Sequence, residues 1–195
     1  MAVTSSDWPH ARDPAPDELR LVQDFVNTLD SDNGLRQIET LDAPADLERW
    51  MRRRKLLGRD ERIGAPDLRR ALEVRSALRA LLLAHSGVPL DQQAVARLNA
   101  AAERAHVAIG LQDDGSATVL QPAARGLDGL VARLLAIVDR SMADGTWERL
   151  KACPNEDCEW AFYDRSRNRS SRWCTMAECG NRAKARAFRE RSRST

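Results

Sequence analysis

All four cysteines of this 195-residue chain lie in its last quarter, spaced as Cys153-x4-Cys158-x15-Cys174-x4-Cys179. Two close pairs separated by a longer loop suit a tetrahedral zinc ion, because each pair on a tight turn supplies two thiolates. A stretch of about 40 residues buries too little surface to fold on hydrophobicity alone, and metal binding supplies the missing stability. Four sulfur ligands leave no position for water, so the spacing predicts one structural Zn²⁺ ion.

The alternative for these cysteines is two disulfides or unrelated thiols. Residues 1–18 lack a basic stretch followed by an apolar one, so they do not resemble a signal peptide. The longest aliphatic run, residues 80–84, is far shorter than the roughly 20 residues that span a bilayer. We therefore expect no membrane segment and a cytoplasmic location, where thiols stay reduced and clustered cysteines favour a metal.

The charge is unevenly distributed along the chain. Formal net charge is only +2, but residues 151–195 hold eleven lysines and arginines against six acidic residues. Residues 1–150 are mildly acidic, with twenty basic and twenty-three acidic residues. An acidic body with a basic tail indicates a polyanionic partner.

Upstream of the cysteines, apolar residues recur with helical spacing. The fold class expected is mainly α with a small β-hairpin: a helical N-terminal domain (17–150) preceded by a flexible arm (1–16), and a small C-terminal zinc-finger module (151–195). Alternating apolar residues around an Asp-Asp-Gly-Ser sequence predict the hairpin, at 107–121. The expected helices cover residues 17–30, a segment from 44, 66–86, 92–105 and 127–143.

Basic residues occur in two arrangements around the second cysteine pair. Arginine alternates with serine and asparagine in residues 165–172, which suits a phosphate backbone. Residues 180–191 are rich in alanine and predict a helix that is narrow enough for a major groove, where arginine and asparagine can read base edges. The candidate nucleic-acid-binding residues are Arg165, Arg167, Asn168, Arg169, Arg172, Asn181, Arg182, Lys184, Arg186 and Arg189.

Three points about this basic region stay open. Its arginines could form only a solvated charged face, or offset the formal −2 charge of a Zn(Cys)4 centre. Charge alone does not separate DNA from RNA, and an acidic protein partner would be attracted equally. We further expect Phe188 to pack back on Trp160 or Trp173, and Asp164 to pair with or cap an arginine rather than act as a catalytic acid.

Enzymatic signatures do not stand out in the sequence. It has no glycine-rich phosphate loop and no Ser/His/Asp set, and a four-sulfur metal site is closed to substrate. The histidines, His10, His85 and His106, lie far from the cysteines and are expected on the surface or in the core. We therefore expect a non-enzymatic protein: a DNA-binding regulator, or else a zinc-stabilised protein-interaction module or an RNA-binding protein.

The C-terminal residues also resemble a known family, the CGNR-type zinc finger, over about residues 151–189. The body is similar to the ABATE domain that precedes this finger in bacterial proteins. The residues that carry the first resemblance are Cys158-Glu159-Trp160-Ala161-Phe162-Tyr163-Asp164, Ser166-Arg167-Asn168, Arg172-Trp173-Cys174-Thr175-Met176 and Cys179-Gly180-Asn181-Arg182 with Lys184. Those that carry the second are Asp24-Phe25-Val26-Asn27-Thr28 and Leu47-Glu48-Arg49-Trp50.

The resemblance implies a stress-induced transcription regulator, with a ligand-sensing domain in front of a DNA-binding finger. It points to Asn27 and Thr28 as candidate ligand-binding residues for an unidentified small-molecule effector. A buried polar pair bonded to backbone is the alternative for these two residues. Such a regulator would be associated with the nucleoid, and a homodimer is a further expectation because many DNA readers dimerise.

Overall fold

The computed structural model describes residues 14–31, 37–111, 117–120 and 125–193. Six α-helices and three two-stranded antiparallel sheets make up most of the regular structure of this described part, which also holds a 3-10 helix at Trp147–Arg149 and a π-helical turn at Met176–Gly180. The helices are α1 (Leu19–Val26), α2 (Pro44–Arg53), α3 (Ala65–Ala84), α4 (Gln92–Arg104), α5 (Gly126–Ala143) and α6 (Asn181–Arg193). The strands are β1 (Leu29–Ser31), β2 (Gln37–Glu39), β3 (Ala108–Leu111), β4 (Ala117–Leu120), β5 (Leu150–Ala152) and β6 (Ala161–Tyr163). The expected mainly helical fold is confirmed.

Helices α2 and α3 begin in the same way. Each has a proline in its first turn, Pro44 and Pro66, where no backbone N–H is needed. The carboxylate three residues after the capping position accepts its N–H, from Ala43 to Asp46 and from Gly64 to Asp67, both at 2.9 Å. Local sequence therefore fixes these two helix starts where they were predicted.

Helix α3 is the centre of the body. It contacts α1, α2, α4, α5 and β5, and its Leu78 and Leu82 are completely buried. Burial of a leucine side chain contributes about 2 kcal/mol to stability. At one end of this core the rings of Phe25 and Trp50 lie 5.5 Å apart and join α1 to α2. Packing in this core fixes the positions of β5 and of the surrounding helices relative to α3.

The first helix is shorter than predicted. It ends at Val26, and the chain turns into β1, which pairs with β2 in a hairpin that the sequence did not reveal. The predicted hairpin is present as β3 and β4, while its turn at 112–116 lies outside the described residues. Strands of three residues carry too little alternation to be recognised, which explains the missed hairpin.

The arm predicted for residues 1–16 is described only from residue 14. Ala15 is 4% exposed, and its N–H donates to Gln23 Oε1 at 2.7 Å. This end of the arm is therefore packed on the body, which corrects the expectation of a loose segment there. None of the helices in the described part combines the length and apolar character that a bilayer crossing requires.

The finger is not a separate unit hanging from the body. Strands β5 and β6 form the hairpin that leads into the cysteines, with Ala152 opposite Ala161. Leu150, Ala152 and Ala161 are each 0% exposed and belong to the body's core. The predicted boundary at 150/151 consequently crosses a strand whose side chains pack on α3.

Candidate metal centre and basic surface

The four cysteine sulfurs converge on one point. Their Sγ atoms all lie within 4.8 Å of one another, and Sγ of Cys174 is 3.4 Å from those of Cys158 and Cys179. A tetrahedral zinc site with Zn–S bonds of about 2.3 Å places its sulfurs about 3.8 Å apart. Three of the cysteines are buried and Cys158 is half-buried. The donor type, number and spacing fit one structural Zn²⁺ ion, as predicted.

The first cysteine pair is held by a tight turn after β5. Asn155 O accepts hydrogen bonds from the N–H groups of Cys158 and Glu159, at 2.7 and 3.0 Å. Glu159 adopts a left-handed conformation with φ of 48°, which reverses the chain. The N–H of Cys153 then donates to Trp160 O at 3.0 Å, so backbone hydrogen bonds help to bring the two thiols together.

The second pair depends on a π-helical turn at Met176–Gly180 that leads directly into α6. Gly180 is buried, and its N–H donates to Thr175 O at 3.1 Å. A Cβ at this position would lie 2.8 Å from Met176 Cε and 3.3 Å from Trp173 Cδ1. A side chain at this position would therefore require the exposed Met176 side chain to move away from the turn.

The close approach of the four thiols shifts their pKa values in opposite directions. Hydrogen bonding with Cys153 and Cys158 raises the pKa of the Cys174 thiol. Hydrogen bonds from Cys153, Cys158 and Cys174, together with the Asn155 amide 3.7 Å away, lower the pKa of the Cys179 thiol. A bound divalent cation favours the thiolate form of all its sulfur ligands, so metal binding at this centre releases protons.

A buried ion pair organises the loop between the cysteine pairs. Lys151 Nζ donates to Asp164 Oδ2 at 2.7 Å and to the carbonyls of Arg169 and Ser171 at 2.6 and 3.0 Å. Asp164 also accepts from the N–H groups of Ser166 and Ser171, both at 2.9 Å. Asp164 is thus a positioning carboxylate as expected, but its side-chain partner is a lysine rather than an arginine.

All ten predicted nucleic-acid-binding residues lie on the surface. Each of them is exposed. The ten are Arg165, Arg167, Asn168, Arg169, Arg172, Asn181, Arg182, Lys184, Arg186 and Arg189.

Several of these side chains already have protein partners. Arg165 donates to Pro14 O at 2.9 Å and stacks over Tyr163, and Arg169 lies 3.7 Å from Glu148 Oε2. These two arginines therefore tie the loop to the body. In the same loop Arg172 stacks over Trp173, and after the second cysteine pair the side chain of Asn181 donates to Ala177 O at 3.0 Å. Arg186 on α6 lies 3.7 Å from Asp157, which belongs to the turn that holds the first cysteine pair.

The remaining cations face solvent. Within the described part of the chain, Arg167, Lys184 and Arg189 have no ion pair or hydrogen bond through their side chains. Helix α6 buries none of the side chains described on it, and Phe188 is 65% exposed. The expectation that Phe188 packs on Trp160 or Trp173 is therefore wrong, because most of its side chain is exposed.

Asn27 and Thr28 are engaged with the protein itself. The Asn27 amide bonds to the backbone of Ala161 in the finger. The Thr28 hydroxyl donates to Phe25 O at 2.7 Å and accepts from Arg75 at 3.0 Å. This is the backbone-bonded alternative raised for the pair, and it gives both side chains a structural role.

Two buried arginines escaped the sequence analysis. Arg75 forms a bidentate ion pair with Glu39, at 2.7 and 2.5 Å, and Arg79 donates to the carbonyls of Val26 and Leu29. Burial raises the pKa of Glu39, but the Arg75 guanidinium outweighs it, and the net shift is downward. Arginines in a helix of mixed charge are normally exposed, so no feature of the sequence singles these two out.

Comparison with known families gives two matches in the same order along the chain. Residues 19–145 match the ABATE family model, described as "Putative stress-induced transcription regulator", and residues 149–192 match the CGNR zinc finger. A comparison with curated proteins finds no match. The first match covers more than half of the chain, and the cysteine cluster lies within the second. The chain therefore belongs to the ABATE family and carries a CGNR zinc finger behind its ABATE domain.

Proposed function

We propose that this protein is a transcription regulator that binds duplex DNA through its zinc finger, under the control of an effector bound by the helical body. The DNA-binding part of this proposal rests on helix α6. Arg182, Lys184, Arg186 and Arg189 are exposed along it, and the helix has no buried apolar face of its own. The exposed side chains of this helix are mostly cationic, and this charge favours a polyanionic partner.

Duplex DNA fits the dimensions and charge of this surface. The major groove, about 12 Å wide, admits an α-helix, and alanine side chains keep α6 slender. The loop cations add contacts that can position the finger on phosphates. The metal centre uses four sulfurs and leaves no open coordination position, which supports a structural and non-enzymatic role for the zinc.

The decisive experiment is a selection of random duplex DNA on the purified zinc-loaded chain, with Cys174→Ser in parallel. We expect an enriched motif that is lost in the variant. Binding should weaken with salt, with a log–log slope near −0.9 for each phosphate contact. An inverted repeat in the motif would indicate that two copies bind together, as expected for a homodimer. Absence of binding, or binding insensitive to salt, would contradict the proposal.

The other partners considered for the basic surface are distinguishable in the same assay. Single-stranded or structured RNA that competes better than any duplex DNA would make the protein an RNA binder. A stoichiometric acidic protein bound in the absence of nucleic-acid affinity would identify an interaction module. Either result would mean that the partner of the basic surface is not DNA.

The effector half of the proposal rests on the body. One groove, of about 120 Å³ between α3 and α4, is lined by Arg70, Arg97 and Arg104 over a floor that includes Val74 and Val131. Glu73 also lines this groove and Arg70 is paired with Asp128, so Arg97 and Arg104 are the cations above the apolar floor that suit a small organic anion. A thermal-shift screen of short carboxylates, with Arg104→Gln as the control, tests it: stabilisation of the wild type alone supports the groove, and none for any carboxylate contradicts it.

A further inference from the structure

We propose that the segment joining α1 to β1 couples the zinc centre to the body, so that zinc retention depends on Asn27 and Arg79, neither of which is a metal ligand. We call residues 26–29 the junction segment. The inference concerns how the finger is held and does not require that it bind DNA. It assigns Asn27, within the Asp24–Thr28 sequence stretch, to docking the finger.

The Asn27 side chain takes the place of a third strand beside β6. Its Oδ1 accepts from the N–H of Ala161 at 2.8 Å, and its Nδ2 donates to Ala161 O at 2.9 Å. Gln23 Nε2 donates to the same carbonyl at 3.2 Å. Ala161 is completely buried, so without these amides its backbone groups would have neither water nor another strand to bond.

Arg79 holds the same segment from the other side. Its Nη2 donates to the carbonyls of Val26 and Leu29, at 2.6 and 2.7 Å, one on each side of Asn27. Its Nη1 lies 3.7 Å from Oε2 of Glu159. One buried guanidinium therefore contacts both ends of the junction segment and the first cysteine turn.

These contacts flank a metal ligand along the chain. Glu159 directly follows Cys158, and Ala161 lies two residues further on. Both are held by body residues, so the position of the Cys158 thiol is set by α1 and α3 as well as by its own turn. Contacts outside the ligand set that orient metal ligands typically change metal affinity by about 10- to 100-fold when removed.

The coupling must act in both directions. If body contacts favour the arrangement that binds zinc, then zinc binding favours the same contacts by thermodynamic linkage. Chelation should therefore increase hydrogen exchange at the end of α1, although no residue of α1 contacts the metal. A finger that is merely tethered to the body would show no such response.

The test measures zinc transfer from the full-length, zinc-loaded chain to a chromophoric chelator. We expect Asn27→Ala to accelerate release about tenfold or more and to increase hydrogen exchange in β5 and β6. The matched control is Leu98→Ala, a buried residue of α4 whose truncation destabilises the body by about 2–5 kcal/mol. This control should lower the unfolding midpoint while leaving zinc release unchanged.

Arg79→Lys provides a second variant should Asn27→Ala fail to fold. It keeps the charge beside Glu159 but cannot reproduce the forked contacts to two carbonyls, and it should also accelerate release. The inference is overturned if both variants release zinc at the wild-type rate. It is equally overturned if Leu98→Ala accelerates release as much as they do. Because none of these readouts involves nucleic acid, a failure of the DNA proposal leaves the result unaffected.

Discussion

The ammonium group of Lys151 lies 2.7 Å from Oδ2 of Asp164, with side-chain exposures of 6% and 0%. Its other two hydrogen bonds go to backbone carbonyls in the loop between the cysteine pairs. Burial raises the pKa of Asp164, but the Lys151 ammonium and hydrogen bonds from Ser166 and Ser171 outweigh it and hold the pKa well below its ordinary value. The carboxylate is therefore ionised throughout the physiological range.

Breaking this pair should unfold the finger loop. Lys151→Met leaves a buried carboxylate without its cation, and such losses cost about 3–5 kcal/mol. Chemical denaturation followed by tryptophan fluorescence measures the change. The control is Arg49→Gln, which removes an exposed ion pair to Asp46 and should cost less than about 1 kcal/mol. Equal stability of the two variants would mean that the buried pair does not organise the loop.

A second prediction concerns acid sensitivity at the contact between α3 and the finger. Burial lowers the pKa of His85, and its hydrogen bond to Leu150 O, at 2.8 Å, opposes this only in part. Between the folded pKa and about 6.5 the unfolded chain binds more protons at this site than the folded chain, so the histidine's contribution to stability falls as pH falls. The stability gap between wild type and His85→Gln should therefore shrink as the pH is lowered from 7.5 to 5. A gap independent of pH would contradict the assignment of His85 as a buried neutral histidine.

The unpartnered cations of α6 should dominate the salt dependence of DNA binding. Changing Lys184 and Arg189 together to glutamine should reduce the log–log salt slope by nearly 2 if each contacts one phosphate, at about 0.9 per contact. Replacing Arg53 and Arg69 with glutamine serves as the control, because both are exposed on the body and neither has a described partner. If the two double variants reduced the salt slope equally, the surface that contacts DNA would lie elsewhere on the protein or the binding would be non-specific.

Much of the architecture could be predicted because its determinants are local. Pro44, Pro66 and Asp91 mark helix starts through their own backbone requirements, and Asp91 accepts from Gln93 N–H at 2.8 Å as an N-cap does. The metal centre could also be predicted, because the spacing of the four cysteines along the chain is typical of a zinc site. The exposure of the arginines and the lysine among the candidate nucleic-acid-binding residues could be predicted because burying a charged side chain costs free energy.

Apart from the short β1–β2 hairpin, the contacts that sequence reasoning missed are mainly between distant segments. Asn27 and Ala161 are 134 residues apart, and an asparagine that completes a strand looks the same in sequence as one that binds a ligand. Arg79 is buried only because two carbonyls and Glu159 surround it in the folded chain. Phe188 was expected to be buried because an apolar residue in a helix normally is, whereas this side chain is 65% exposed.

The central claim is that one metal ion gathers Cys153, Cys158, Cys174 and Cys179 and thereby orders the basic finger. Native mass spectrometry of the freshly purified, reduced chain tests it directly, combined with hydrogen exchange before and after chelation. The account predicts one zinc per chain, its loss in Cys174→Ser, and rapid exchange across residues 153–193 once zinc is removed. A chain that carries no metal, or a finger that stays protected after chelation, would contradict it.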